Sequence, residues 1–411
     1  MMERLTGLLG IVLILGIAFL FSNNKKRIKP RLVITGLGLQ VGIALIVLKV
    51  PAAARFFQSL GNVMKKMEDF AKEGASFVYG GIAVIDPAGK VADYRVVPAF
   101  IFAFNILAII ILVCALVALL YHLGVIQFII SWLARAMNFV MRVSGAEAAS
   151  NIASSFVGQV EAQVLVREYL PTMTRSELLA SMSGSLACIA GGILIIYTKM
   201  GARADYLIAA SLMAAPGALV ISKIVFPETE ESPTMGNVTL KVKTRYANAI
   251  DAITHGATDG LKIALNVMAM LIAFMSLIAL LNWGLGHIYH GLSLDLIFSK
   301  LFYPFAWAMG VPSQDINSVA TLLGQKLTVN EFIAFRNMTT HAVPVVTPKG
   351  LMIVSIAICG FANFSSVGMQ IGGIGELVPN RKEELARLGM KALLCGTLAS
   401  YLSACIAGIL M

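Results

Sequence analysis

Apolar residues in this chain gather in long blocks separated by short polar and basic stretches. The blocks run over Leu5–Phe21, Leu32–Val50, Pro98–Leu120, Leu179–Ile196, Tyr206–Phe226, Ile263–Leu285, Leu351–Phe361 with a polar continuation, and Met390–Met411. Most approach the roughly 20 residues that a helix needs to cross a hydrocarbon core. None shows the alternating segments of a β-barrel, and backbone in lipid must be satisfied inside helices or closed barrels. The pattern predicts an all-α polytopic membrane protein with eight transmembrane helices.

Two stretches behave neither as spans nor as loops. Gly145–Pro171 mixes small and hydroxyl residues with Gln159 and Glu161, and Val311–Pro344 has the same character with Gln325, Asn330 and Glu331. Each precedes a span interrupted by small and polar residues, Ser183–Gly192 (SGSLACIAGG) in the first half and Cys359–Gly368 (CGFANFSSVG) in the second. Corresponding interruptions in two halves are the sign of a secondary transporter built from inverted repeats, in which half-helices meet near the midplane. The expected fold therefore adds two re-entrant hairpins, at about 145–171 and 311–344, and two broken helices, at about 179–197 and 349–372. Non-helical backbone at that depth implies a watery or protein-covered cavity.

An ionised carboxylate at the membrane centre costs roughly 3 kcal/mol even on lenient insertion scales. Glu161 and Glu331 carry that cost, which makes them candidate ligand groups; the alternative is that one or both neutralise a nearby Lys326 or Arg167. Gln159 and Asn330 adjoin them and offer donors and acceptors to a neutral polar solute, or else tie hairpin backbone together. Phe361 can present a ring face to a ring-bearing solute or simply pack in the bundle. Two acids and several amides without a basic ring suit a hydroxyl-rich or cationic solute better than an anion.

Composition agrees with this solvent, since 58% of the residues are apolar and only 13% charged. The net charge of +10 does not point to nucleic acid, because the bases sit at span ends rather than in an aromatic-interleaved patch. Lys25, Lys26, Arg27, Lys29 and Arg31 follow the first block, and Arg135, Arg142, Lys241, Lys243, Arg245, Arg381, Lys382 and Arg387 flank later ones. The positive-inside rule makes these loops cytoplasmic and puts both termini outside. Residues 1–98 read as an N-terminal span pair with an interfacial helix region, and 99–226 as the first half of the core. Residues 227–261 read as a connector and 262–411 as the second half. The cysteines Cys114, Cys188, Cys359, Cys395 and Cys405 lie in or beside apolar blocks without metal-like spacing and read as free buried thiols. No nucleophile and base pair stands out, and His255, His287, His290 and His341 read as loop or interfacial residues, so an intramembrane enzyme is disfavoured.

The motifs FVGQVE at Phe156–Glu161, GQKLTVNEFIAF at Gly324–Phe335, GFANFSSVG at Gly360–Gly368 and IGGIGELVPNR at Ile371–Arg381 resemble those of the concentrative nucleoside transporter family. The resemblance runs through nearly all of Phe77–Met411 and is supported by YHLGVIQ at Tyr121–Gln127 and FYPFAWAMGVP at Phe302–Pro312. It implies a homotrimer of eight-helix protomers taking up nucleosides by proton or sodium symport without a further cofactor, while the composition, without the long tails and glycosylation-rich exterior of larger relatives, leads to the expectation of a bacterial inner membrane. It places Gly158, Gln159, Val160 and Glu161 at the nucleobase and ribose, Glu331 at the ribose, and Phe361, Asn363 and Ser366 on the ribose side of the second broken helix.

The chain departs from that pattern at Val160, where most members carry a hydroxyl, at Ser154, where sodium-coupled members carry Asn, and at Cys188, where a small hydroxyl residue is common. A sodium site would fall near Ser154, Val157 and Cys188, but a thiol supplies no hard oxygen. Ser154, Cys188, Glu161 and Glu331 are therefore the candidates for cation coupling, with Glu161 or Glu331 the carrier if protons drive uptake. A passive channel or a nutrient-binding receptor is the competing reading.

Overall fold

A computed structural model of the protein describes residues 2–79, 102–235 and 246–411, and these are helical with no strand among them. The basic residues Lys241, Lys243 and Arg245 lie outside the described residues. Helices α1 (Met2–Leu20) and α2 (Pro30–Lys49) are followed by α3 (Pro51–Tyr79), the amphipathic helix expected after the second apolar block.

The remaining helices run through one order twice. The first pass is α4 (Phe102–His122), α5 (Val125–Met141), the interrupted pair α6 (Gly145–Ser154) and α7 (Glu161–Leu165), the broken helix α8 (Arg175–Ala187) with α9 (Gly191–Lys199), and α10 (Ala204–Val225). The second is α11 (Ala249–Ile288), the short α12 (Leu294–Leu301) and α13 (Tyr303–Ala308), the interrupted pair α14 (Ile316–Thr328) and α15 (Glu331–Thr339), the broken helix α16 (Pro348–Ile358) with α17 (Phe364–Leu377), and α18 (Lys382–Leu410). Equivalent long helices of the two passes pack together, α4 on α11 and α10 on α18.

Small residues set the first of these contacts. A Cβ at Gly256 would meet the Cys114 carbonyl oxygen at 2.6 Å, and one at Gly260 would meet Ile111 Cα at 2.9 Å. The four-residue glycine spacing lets the α11 backbone lie directly on α4, as small-residue repeats do in lipid. Gly124, in the left-handed region at φ 79°, separates α4 from α5, and their axes diverge by 72°.

Four described helical stretches, Pro30–Lys49, Arg175–Lys199, Ala204–Val225 and Pro379–Leu410, are long and apolar enough to cross a membrane. Helix α11 begins at Ala249, inside the 227–261 stretch read as a connector, because the Asn248 side chain caps it by accepting from Asp251 N.

Polar side chains inside the bundle are tied in pairs. Ser144 with Glu147 and Thr174 with Glu177 form reciprocal capping boxes at the starts of α6 and α8. Lys223 Nζ of α10 lies 2.7 Å from Glu147 Oε2 and donates to Ser176 Oγ at 3.0 Å, so a buried cation joins these two helix starts. Pro216 stands inside α10, and Gln40 of α2 donates to the Met213 carbonyl in the preceding turn at 3.0 Å. Such side-chain partners are what make an interior proline tolerable in lipid.

Candidate functional site

The interruptions meet at one cavity of about 760 Å³, inside the roughly 300–1,000 Å³ typical of small-molecule sites. The starts of α7, α9, α15 and α17 all reach it, each bringing helix N-terminal backbone donors toward its lining. The break between α8 and α9 is held against both partners: Gly191 N donates to Phe156 O at 3.1 Å and Phe361 N donates to Cys188 O at 3.3 Å. Gly360 is glycine because a Cβ there would lie 2.7 Å from the Ala187 carbonyl carbon. The two broken helices thus touch backbone to backbone at their discontinuities.

Glu331 is the most constrained group of the site. It opens α15 directly after Asn330, whose side chain caps the helix by accepting from Ile333 N at 3.0 Å. Tyr197 of α9 donates its hydroxyl to Glu331 Oε1 at 3.0 Å, and Asn363 Nδ2 donates to Oε2 at 2.8 Å. Asn363 is itself fixed, since its Oδ1 accepts from Ser366 N at 2.8 Å and from Ser365 Oγ at 2.9 Å while capping α17. The carboxylate therefore receives one donor from each half of the chain, and a carboxylate oxygen has lone pairs left for ligand hydroxyls.

Glu161 occupies the equivalent place at the start of α7, with its carboxyl folded over Gly158, where a Cβ would collide with it. Gln159 points across the cavity, its Nε2 3.9 Å from Met369 Sδ, and its buried Oε1 has no hydrogen-bond partner among the described residues. Val160 stands against α17: a Cβ on Gly373 would meet the Val160 methyls at 2.6 and 2.7 Å. Val160 is thus seated as an apolar wedge in a notch left by a glycine.

Val157, Gly158, Gln159, Val160, Glu161, Glu331, Phe361, Asn363 and Ser366 all line the cavity, as does Asn330. Ser154 and Cys188 do not; they lie behind it. Ser154 Oγ donates to Ser150 O at 2.7 Å and pairs with Ser185 Oγ at 2.8 Å, and Gln163 Nε2 donates to the same Ser185 hydroxyl at 2.8 Å. Cys188 Sγ is 3.3 Å from Ser155 Oγ. The hydroxyls around Ser154 are already engaged with one another and with backbone.

Sequence reasoning missed Tyr197, Met369 and Ser365, which also line the cavity. The signal for Tyr197 was present: a tyrosine within an apolar span needs a partner for its hydroxyl. Met369 carried no such signal. Among the described residues no group of three or more His, Cys, Asp or Glu side chains is arranged to hold a metal ion, and all five cysteines are free.

Comparison with known proteins bears on this arrangement. Models of the Na+ dependent nucleoside transporter N-terminus and C-terminus match residues 9–82 and 206–408, and a nucleoside-recognition Gate model matches 103–204. A Bacillus subtilis transporter, YutK, is 41% identical over 99% of both chains. The nucleoside permease NupC of Helicobacter pylori is 36% identical over 99% of this chain and 98% of its own. The solved structure of CNTnw in an inward-facing substrate-bound state is similar with a TM-score of 0.91 at 36% identity, covering 99% of this chain and 98% of that one. With its two interrupted halves closing on one acidic cavity, the chain belongs to the Na+-dependent, concentrative nucleoside transporter family and is a membrane transporter rather than an enzyme.

Proposed function

We propose that this protein imports nucleosides into a bacterial cell by proton symport, with alternating access of a body formed by the hairpins and broken helices. The observation that carries the substrate assignment is Glu331, whose carboxylate is gripped by Tyr197 and Asn363 on the wall of a cavity with ample room for a nucleoside. A rigid, doubly hydrogen-bonded carboxylate accepts vicinal ribose hydroxyls without having to be reorganised. Gln159, with a free carbonyl oxygen beside Val160 and Met369, faces the position left for the base.

Protons are the favoured coupling ion because the place where a sodium cage would form offers Cys188 sulfur and hydroxyls committed to neighbours. Sodium needs several hard oxygens, whereas Glu161 and Glu331 each supply a group that can carry a proton. The accompanying architecture is eight membrane spans with two re-entrant hairpins, in a homotrimer in the inner membrane, with basic loops inside and both termini outside.

Uptake of radiolabelled uridine and adenosine into proteoliposomes under an imposed proton or sodium gradient tests the reading. Accumulation above the external concentration with a proton gradient alone is expected. Equilibration without accumulation under either gradient would identify a passive channel or a receptor instead, and stimulation by sodium alone would reassign the ion. Glu331→Gln is expected to abolish uptake in a protein that remains folded.

A further inference from the structure

Lys326 is a buried cation of the second interrupted pair that proton symport by Glu161 or Glu331 does not use. Its side chain is fully buried on α14, and its ammonium has no hydrogen-bond acceptor among the described residues. A desolvated, unpaired ammonium is among the most unfavourable arrangements a fold can hold, so its retention needs a compensating charge. Its neighbour Gln325 is engaged elsewhere, donating to Asp295 Oδ1 at 2.8 Å and accepting from Asn337 Nδ2 at 3.0 Å. Lys326 lies near the end of α14, which packs on α15, and Glu331 opens α15 just after the break, so the ammonium is within electrostatic reach of Glu331 and also of Cys359. The titratable groups in electrostatic reach of Glu331 are Tyr197 on α9, which is hydrogen-bonded to it, Lys326 on α14 and Cys359 after α16, and of these Lys326 is the cation.

Both oxygens of Glu331 are already taken by Tyr197 and Asn363. Lys326 is buried and is not among the residues lining the cavity, so its ammonium supplies positive charge without occupying the lone pairs that face the cavity. Glu161 has no such partner: among the described residues no ion pair reaches it, the titratable groups in its electrostatic reach are Asp259 of α11, of the same sign, and the Cys114 thiol of α4, and Arg167 and Glu168 share its cavity wall.

We propose that Lys326 is a positioning residue for nucleoside transport: it is the internal counter-charge of Glu331, keeping that carboxylate ionised for the solute and leaving Glu161 to take up the coupling proton. This rests on the symport reading. A proton from the outer solution bonds to a Glu161 carboxylate oxygen, crosses with the nucleoside, and is released from the same oxygen to the cytoplasm. Glu331 and Lys326 cross as a neutral pair throughout.

The test is a double-mutant cycle on the full chain in detergent, read by thermal unfolding and by uridine affinity from about pH 6 to about pH 8.5. Lys326→Met is expected to lower the unfolding temperature and weaken uridine binding about tenfold at the acid end, with affinity recovering as pH rises. Lys326→Arg is expected to restore both. The double variant Lys326→Met/Glu331→Gln is expected to unfold at or above the temperature of Lys326→Met, since no buried charge is left unpaired. Uridine binding by Lys326→Met that equals wild type, or is weaker by one constant factor at every pH, overturns the proposal. So does a double variant less stable than Lys326→Met. Should Lys326→Met fail to fold, a folded double variant supports the pairing and an unfolded one overturns it. Failure of the wild type to bind uridine would instead refute the nucleoside reading, and the stability cycle would still judge the pair.

Discussion

Tyr197 and Glu331 stand 134 residues apart in the chain and share a buried hydrogen bond of 3.0 Å between the phenolic hydroxyl and the carboxylate. The ring of Tyr197 also stacks on Phe335 with centroids 4.4 Å apart, one turn along α15 from Glu331. The first broken helix therefore orients the Glu331 carboxylate at the start of α15. Tyr197→Phe keeps the stacking and removes the donor. Hydrogen bonds to charged groups contribute about 1.5–3 kcal/mol, so kcat/KM for uridine uptake should fall about tenfold to a hundredfold. Initial-rate measurements over a range of uridine concentrations check this, and an unchanged kcat/KM would make the bond incidental.

Gly360 carries the backbone contact between the two broken helices. In Gly360→Ala the new methyl group would press on the Ala187 carbonyl, which is backbone and cannot rotate away. Overpacking of this kind costs about 1–3 kcal/mol, and thermal unfolding of the purified variant should shift down by several degrees with uptake largely lost. A variant with wild-type unfolding temperature and uptake would mean that the discontinuities are not in contact during transport.

Val160 and Gly373 form a wedge and its notch. Gly373→Ala should displace the first hairpin and reduce uptake, because its methyl group would overlap the Val160 side chain. Val160→Ala in the same chain should return much of the lost activity by making room. Neighbouring substitutions that share a contact are expected to be non-additive by about 0.5–3 kcal/mol, and strictly additive losses would dissolve the relationship. In the wild-type background, Val160→Thr adds a hydroxyl in nearly the same volume and should change the ratio of uridine to adenosine uptake while leaving the unfolding temperature within a degree or two.

Glu161→Gln removes the carboxylate that opens α7 on the cavity wall. Proteoliposomes holding this variant should no longer accumulate uridine under an inward proton gradient. Intact gradient-driven accumulation, measured alongside wild type at equal protein load, would move the coupling site elsewhere.

The acidic and amide residues of the site were legible in the sequence because lipid makes them conspicuous. An Asn330–Glu331 pair or a Gln159–Glu161 pair is unremarkable on a soluble surface, but between apolar blocks each polar group must have a reason. The interruptions at Ser183–Gly192 and Cys359–Gly368 were visible for the same cause, and the observed breaks fall within them. Capping boxes such as Thr174 with Glu177 are written in local spacing as well, because a cap reaches only three residues along the chain.

What the sequence alone determined was which residues must avoid lipid, since the hydrophobic cost depends on residue type and on neighbours a few positions away. Only the tertiary structure decided which of those residues line the cavity and which are spent on one another. Ser154 and Cys188 were equal candidates with Glu161 by position, yet packing places them behind the cavity, bonded to Ser185 and Ser155. Tyr197 reaches Glu331, and Val160 meets Gly373, because α9 and α17 are brought to the two hairpins by contacts more than a hundred residues long in sequence. No local pattern encodes such distances; they follow from how two similar halves close on each other.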